Sequence, residues 1–206
     1  TIMGIEQYCL FRIGDAGFPL QQLQFSSPGE NKFPNADTGK LLQPSEWYHV
    51  AVVYDTEKKT AVIYVDARVQ SRIEDYGNGE PVNLGKQTRG KDFMFKIGHS
   101  YGDPDYMERQ LDGEICEVRV WNVARSQQEI FDNMYNIEDP ANTPGLQAYW
   151  KFNEGSGNDI KDYSKYHNDA HIVRYWKDFN SKEEYDVKNE ELWPSGIEVP
   201  QVNRED

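Results

Sequence analysis

Two glutamates in the segment "LDGEICEVRVWNVARSQQEI" (111–130), Glu114 and Glu117, are of the residue type that cleaves sugar bonds, and their spacing decides whether they can act together. A retaining glycosidase uses two carboxyl groups about 5 Å apart, one as nucleophile and one as acid. The alternation of apolar and charged residues predicts a strand from Glu114 to Trp121. Glu114 and Glu117 would then point to opposite faces, because residues three apart in a strand do so, unless a β-bulge intervenes. We therefore predict no catalytic residues here.

The side chains of this predicted strand are instead expected to have structural roles. Cys116, Val118 and Val120 would form one apolar face, which is expected to join the core. Glu117 and Arg119 lie on the other face and can pair as neighbours. We expect this pair to be exposed, and an exposed pair contributes only about 0 to 1 kcal/mol to stability.

The segment "GHSYGDPDYMERQLDG", from Gly98 to Gly113, has the composition of a sugar-binding loop. Tyrosine rings offer flat faces for stacking, carboxylates accept hydrogen bonds from sugar hydroxyls, and a guanidinium donates them. The alternative is an ordinary surface loop whose tyrosines cover the end of a sheet. The predicted ligand-binding residues are Tyr101, Asp103, Asp105, Tyr106 and Arg109, with Glu108 as a further acceptor.

The carboxylates of this loop also suit calcium. Asp103 and Asp105 are two residues apart, and Asp112 is nearby, so together they could supply the oxygen ligands that Ca²⁺ prefers. The twelve-residue calcium loop of an EF-hand is absent. These three aspartates are the predicted metal ligands, and calcium is the one candidate cofactor.

Other catalytic motifs are missing from the sequence. There is no G-x-S-x-G, no H-E-x-x-H and no phosphate-binding loop. The four histidines (His49, His99, His167 and His171) are scattered along the chain. We therefore expect a protein that is not an enzyme.

Short strands separated by turns must position these residues. The clearest hairpin joins Trp47 to Tyr54 with Thr60 to Val65, and neither face of its first arm is fully polar, as in a strand covered on both sides. Ser126 precedes Glu129 by three residues, a capping box that predicts a short helix through Met134. Further strands are predicted at 7–13, 20–25, 69–73, 93–98, 114–121, 146–152 and 170–174. This pattern favours an all-β sandwich.

The composition excludes some classes of binding partner. Lys and Arg total 22 against 35 Asp and Glu, so the net charge of −13 repels nucleic acid and anionic lipid heads. No run approaches the ~20 apolar residues of a membrane span, so no membrane insertion is expected. The two cysteines, Cys9 and Cys116, are expected to be buried free thiols rather than a disulfide.

Three segments, taken in order, resemble one family. They are "EWYHVAVVYDTEKKTAVIYVDARV", "LDGEICEVRVWNVARSQQEI" and "GLQAYWKFNEGSGNDIKDYSKYHNDAHI". They are similar to the laminin-G-like and pentraxin branch of the concanavalin A-like superfamily, in bacterial secreted or cell-surface proteins. The resemblance implies a concanavalin A-like jelly-roll β-sandwich of two antiparallel sheets with one short helix.

The sequence departs from the family in places. Glucanases of this fold place their acids on one strand as E-x-D-x-x-E, whereas the aligned positions here are Glu114, Cys116 and Arg119. The usual Asn-Gly turn is replaced by Asp66-Ala67, and because Ala tolerates positive φ less well than Gly we expect a different turn type.

Two parts of the chain differ in character. Residues 1–174 are predicted to be a laminin-G-like β-sandwich domain that lacks the family's usual first strand. Residues 175–206 are predicted to be an acidic, extended C-terminal tail, docked on the domain through "LWPSGIEVP".

The resemblance implies a non-catalytic glycan-binding module of a secreted or cell-surface bacterial protein. The implied location is extracellular, at the cell surface or periplasmic, although the chain shows no signal peptide. A structural or protein-contact module is the main alternative, and a glycoside hydrolase is the remote one.

Overall fold

Alternating apolar and polar residues in the first half of the chain form two antiparallel sheets. The computed structural model of the chain describes residues 1–14, 19, 21–28, 42–86, 94–99, 110–173, 175–177, 184–186 and 188–195. One sheet has the order β3-β2-β1-β7, with β1 at Met3–Ile5, β2 at Cys9–Ile13, β3 at Leu23–Ser26 and β7 at Lys96–Ile97. The other has the order β4-β5-β6, with β4 at Val50–Asp55, β5 at Thr60–Val65 and β6 at Arg68–Ile73.

The predicted hairpin is confirmed. Strands β4 and β5 pair in continuous register from Val50 opposite Val65 to Asp55 opposite Thr60. All six residues of β5 are buried, as expected for the central strand of three, while those of β4 are half-buried. The Asp55 carboxylate closes the turn, accepting from the backbone N–H of Lys58 at 2.9 Å.

The two-residue turn between β5 and β6 keeps the usual geometry of a hairpin. Asp66 and Ala67 have φ values of 50° and 58°, and positive φ at both positions is the pattern of a type I′ turn. The Asp66 carboxylate accepts from the backbone N–H of His49 at 3.0 Å, which holds the turn in place. The expected change of turn type was therefore wrong, because tertiary contacts offset the preference of Ala for negative φ.

Aromatic rings join these two sheets into a sandwich. The Phe25 ring of β3 lies 6.1 Å from the ring centroid of Tyr54 in β4, and the Tyr76 ring meets Tyr54 edge-on at 5.7 Å. Tyr76 is fully buried, and its hydroxyl donates to the Phe25 carbonyl at 3.4 Å. Rings of this size supply much of the core between the layers.

The single predicted helix, α1, spans Gln127–Asp132 and begins at the predicted N-cap Ser126. Both hydrogen bonds of the capping box are present, and the helix ends two residues before the predicted Met134. Its buried residue is Ile130, which places the apolar side of the helix against the protein.

The described residues fall into two compact units. The first contains the described residues up to Asp112 together with Ala124–Met134, and the second contains Gly113–Val123 and the residues from Tyr135 onward. In the second unit the strands pair as β8 with β9, β10 with β11, and β12 with β13, and a short helix α2 follows. Their bounds are Val118–Trp121, Leu146–Trp150, Asp159–Ile160, Ala170–His171, Tyr175–Lys177, Glu184–Asp186 and Asn189–Leu192.

The segment predicted to be an extended tail has regular structure in its described part, namely β12, β13 and α2. The indole N–H of Trp193 donates to the carbonyl of Gly157 at 3.1 Å, which attaches the segment to the turn before β10. The division of the chain at residue 174 stays a prediction.

Among the described residues, no helix is long and apolar enough to cross a membrane. Both cysteines are free, with Cys9 buried and Cys116 half-buried. The expectation of free thiols is therefore confirmed, and that of burial holds fully for Cys9.

Candidate functional site

The strand predicted to begin at Glu114 begins four residues later. β8 starts at Val118, and Glu117 has a φ of 56°, so its backbone is left-handed rather than extended. Glu114 and Glu117 therefore do not lie on one continuous strand, and the prediction that they point to opposite faces of it was wrong. What each carboxylate contacts decides whether the two can act together.

The Glu117 carboxylate is held by two donors that meet at one oxygen. They are the guanidinium of Arg119 and the hydroxyl of Tyr149. The side chain of Arg119 is 7% exposed and that of Glu117 is 27% exposed, so the pair is mostly buried rather than exposed as predicted. Glu114 is exposed, and no carboxylate is hydrogen-bonded to Glu117 in the described part of the chain.

Tyr149 is unsuited to acid–base chemistry. It is fully buried, and this burial, together with the hydrogen bond to Glu117, raises the pKa of Tyr149 to about 12. The phenol therefore stays protonated and donates to Glu117 over the ordinary pH range. The Arg119 guanidinium stacks 4.8 Å from the centroid of the same ring, so the three side chains form a closed structural cluster.

Two lysines also lie over the aromatic rings of this region. The Lys151 ammonium lies 5.4 Å from the ring centroid of Tyr149 and 5.1 Å from that of Tyr163. The Lys161 ammonium lies 4.9 Å from the Tyr163 centroid, and the two rings are 6.2 Å apart. Each contact of this kind contributes on the order of 0.5–1 kcal/mol when exposed.

The carboxylate of Asp162 organises a loop at residues 161–169, here called the Asp162 loop. Its fully buried carboxylate accepts from the backbone N–H of Tyr149, Ser164 and Asn168 at 2.8, 2.8 and 2.7 Å. The Ser164 hydroxyl adds a fourth hydrogen bond at 2.8 Å. A carboxylate that accepts this many bonds fixes its surroundings, because each donor would otherwise be buried without a partner.

The tip of the Asp162 loop exposes an aromatic ring. Tyr166 is 47% exposed, and the Lys165 ammonium lies 4.9 Å from its ring centroid. Hydrogen bonds with Gln147 and Lys165 lower the pKa of Tyr166. The backbone N–H of Tyr166 donates to the Ser164 hydroxyl at 3.2 Å, so the ring stands on a fixed backbone.

A second set of contacts attaches the loop to strand β9. The Asn168 side-chain amide donates to the Gln147 carbonyl at 3.2 Å, and the Asn168 carbonyl accepts from the indole N–H of Trp150 at 2.9 Å. His167, within the same loop, is exposed and has a φ of 52°.

The residues predicted to bind a glycan all lie outside the described residues, and of the predicted calcium ligands only Asp112 lies within them. Asp112 is described and exposed, and the backbone N–H of Leu111 donates to the Gly98 carbonyl at 2.7 Å, which closes the base of the predicted binding loop. No group of three or more His, Cys, Asp or Glu able to hold a metal ion occurs in the described ranges. The ligand and calcium predictions stay untested, since Tyr101, Asp103, Asp105, Tyr106, Glu108 and Arg109 are all outside those ranges.

Asp162 and Tyr166 are not among the residues predicted from the sequence. The available signal was the "DYSKYHN" segment, since Asp and Ser side chains often bond to the backbone two residues on and so stabilise turns. Nothing in the sequence showed that the carboxylate would also bond to a distant strand.

Comparisons with known proteins agree with this fold. A family model described as the concanavalin A-like lectin/glucanases superfamily matches residues 3–131. A solved structure from Bacteroides ovatus ATCC 8483, provisionally described as a carbohydrate binding protein, is 32% identical with a TM-score of 0.65. The match covers 79% of this chain and 44% of that one, so this chain spans less than half of that protein. No protein with a curated description matches the chain.

The family model covers more than half of the chain, including both sheets of the first unit and all but the last residue of helix α1. The antiparallel strands with two short helices in the described residues fit the architecture that the family name implies. The chain belongs to the concanavalin A-like lectin/glucanases superfamily.

Proposed function

We propose that this chain is a non-catalytic carbohydrate-binding module of a secreted or cell-surface bacterial protein. The observation that carries the proposal is its 32% identity, over 79% of its length, to the provisionally described carbohydrate binding protein of Bacteroides ovatus. A shared fold by itself does not imply a shared function, so the proposal also needs support from the chemistry of the chain.

The contacts of Glu117 support the non-catalytic part of the proposal. A glycosidase needs one carboxylate free to attack and a second free to protonate the leaving group. Glu117 instead holds Arg119 and Tyr149 through one of its oxygens. Glucanase-like activity would require this cluster to open.

We place the principal glycan site in the loop between Gly98 and Leu111, whose base is closed by a hydrogen bond. Loops at the ends of a sandwich carry variable chemistry on a rigid scaffold. The proposed ligand-binding residues are Tyr101, Asp103, Asp105, Tyr106 and Arg109, and calcium, if bound, would take Asp103, Asp105 and Asp112.

A glycan array, run with and without calcium, tests this function. The wild-type chain should bind a subset of glycans, and Tyr101→Ala/Tyr106→Ala should abolish the binding at this loop and weaken the array signal. The matched control, Tyr101→Phe/Tyr106→Phe, keeps both rings and should retain most of it. Full binding by the alanine variant would disprove the proposed site, and the absence of any glycan signal would instead favour a structural or protein-contact module.

The hydrolase alternative has its own test. The chain should show no turnover on β-glucans, and measurable turnover that is lost in Glu114→Gln would overturn the non-catalytic part of the proposal.

A further inference from the structure

We propose that the Asp162 loop is a second saccharide-binding site, in which a pyranose ring stacks on the exposed face of Tyr166. The inference deepens the proposed function and rests on it, because it requires the chain to bind glycans. It uses different residues from the loop between Gly98 and Leu111, and it needs no metal ion.

A dense set of hydrogen bonds fixes the conformation of the Asp162 loop. Asp162 accepts three backbone N–H bonds and the Ser164 hydroxyl, and its own N–H donates to the Asp169 carboxylate at 2.8 Å. A binding surface that is fixed beforehand loses little conformational entropy when a ligand arrives. The bonds from Trp150 and Asn168 to the backbone extend this rigidity to β9.

The ring at the tip of this loop has the chemistry that a sugar needs. A Tyr ring is large and rigid, and it carries a negative face that attracts the positive C–H groups on one side of a pyranose. Tyr166 is 47% exposed, although it belongs to a loop whose backbone is held by the hydrogen bonds of Asp162. Tyr149 is a useful contrast, since its ring is fully buried and cannot meet a ligand.

Polar groups around Tyr166 can bond to the hydroxyls and substituents of the sugar. Lys165 lies over the ring and is exposed, and the Gln147 side chain is half-buried beside the Tyr166 hydroxyl. An ammonium donates to sugar hydroxyls and also pairs with the carboxylate of a uronic acid. The ligand class is therefore a pyranose, from either a neutral or a uronic polysaccharide.

The test measures binding in the variant that lacks the principal site. Glycans that the wild-type chain binds would be titrated calorimetrically against Tyr101→Ala/Tyr106→Ala, with neutral and uronic oligosaccharides as separate arms. Adding Tyr166→Ala should lower the remaining affinity about tenfold or more, because the stacking face is lost. Adding Tyr166→Phe should keep the affinity within about threefold, since the ring remains.

Two further variants complete the design. Lys165→Ala should lower affinity for uronic oligosaccharides more than for neutral ones if the ammonium binds a carboxylate, and the same loss in both arms would identify hydroxyl contacts. Val173→Ala, at a side chain 78% exposed in the same unit, is the control and should change nothing. Equal melting temperatures would show that each variant is folded.

The outcomes separate the inference from the proposed function. If the wild-type chain binds glycans and Tyr166→Ala has no effect in either background, the second site is wrong while the proposed function stands. If the wild-type chain binds no glycan at all, both fail. Loss of binding in Tyr166→Ala with retention in Tyr166→Phe supports the site.

Discussion

The carboxylate of Asp162 accepts a 2.8 Å hydrogen bond from the backbone N–H of Tyr149, thirteen residues earlier in the chain. The backbone N–H of Tyr163 returns a bond to the Tyr149 carbonyl at 2.9 Å. The backbone N–H and carbonyl of Tyr149 in β9 are thus both hydrogen-bonded to residues at the start of the Asp162 loop. This connection helps to fix both Tyr163, whose ring lies 6.2 Å from that of Tyr149, and Tyr166 at the exposed tip.

Removing the Asp162 carboxylate should destabilise the protein strongly. Asp162→Ala leaves three backbone N–H groups without their acceptor, two in buried hydrogen bonds and one in a part-buried one, and we expect the free energy of unfolding to fall by about 3 kcal/mol or more. Urea denaturation measures the change. Asp159→Ala removes a carboxylate whose side chain is 93% exposed and should cost under about 0.5 kcal/mol, and equal losses in the two variants would contradict the role of Asp162.

Neutralising Glu117 should make the Tyr149 phenol easier to ionise. The pKa of Tyr149 is raised to about 12, mainly by burial and secondly by the hydrogen bond to Glu117. Glu117→Gln weakens the second cause only, so it should lower the midpoint of the Tyr149 titration while leaving it above 10. The Tyr149 resonance in a chain with labelled tyrosines, assigned with Tyr149→Phe, follows the titration. An unchanged midpoint would show that Glu117 has no part in it.

The raised Tyr149 pKa also predicts how stability depends on alkaline pH. The unfolded chain releases the phenol proton near pH 10, earlier than the folded chain does. The stabilisation is therefore complete below about pH 10 and is lost as the pH rises toward 12. Tyr149→Phe removes the titrating group, so its free energy of unfolding should fall less steeply over that interval.

The two thiols should differ in reactivity. Burial raises the pKa of Cys9 to about 12, which leaves on the order of one thiolate in ten thousand at pH 8. Cys116 is half-buried, and burial raises its pKa too. A thiol reagent should label Cys116 slowly and Cys9 only after denaturation, as mass spectrometry of the modified peptides can show. Rapid labelling of Cys9 in the native protein would mean that β2 opens readily.

The capping box of α1 should contribute measurably to stability. Ser126→Ala removes the acceptor for the Glu129 N–H and should lower the free energy of unfolding, measured in urea, by about 1 kcal/mol, whereas Ser126→Gly should lower it by only a few tenths of that.

The same capping box should make stability depend on acidic pH, because hydrogen bonds from the Ser126 backbone N–H and hydroxyl lower the pKa of Glu129 below 4.5. The contribution of Glu129 is thus complete above pH 4.5 and is lost as the pH falls through the lowered pKa of the folded state. A cost of Ser126→Ala that stayed the same while Glu129 became protonated would contradict this coupling.

The local elements followed closely from the sequence. The β4–β5 hairpin was predictable because apolar and β-branched residues favour strands on both sides of a charged turn, and the start of α1 was predictable because Ser126 and Glu129 satisfy each other's backbone. The beginning of β8 was not predictable. Glu117 adopts a positive φ where the apolar alternation of its neighbours indicates continuous strand.

The sequence by itself determined that the chain is built of antiparallel strands, that its charge opposes nucleic acid, and that no catalytic motif is present, because periodicity, net charge and motif spacing are properties of the chain order. Only the tertiary structure decided which groups meet. Glu117 with Tyr149, and Asp162 with the Tyr149 backbone, are separated by 32 and 13 residues, and long-range pairing of this kind depends on strand register and on the burial of donors that need an acceptor.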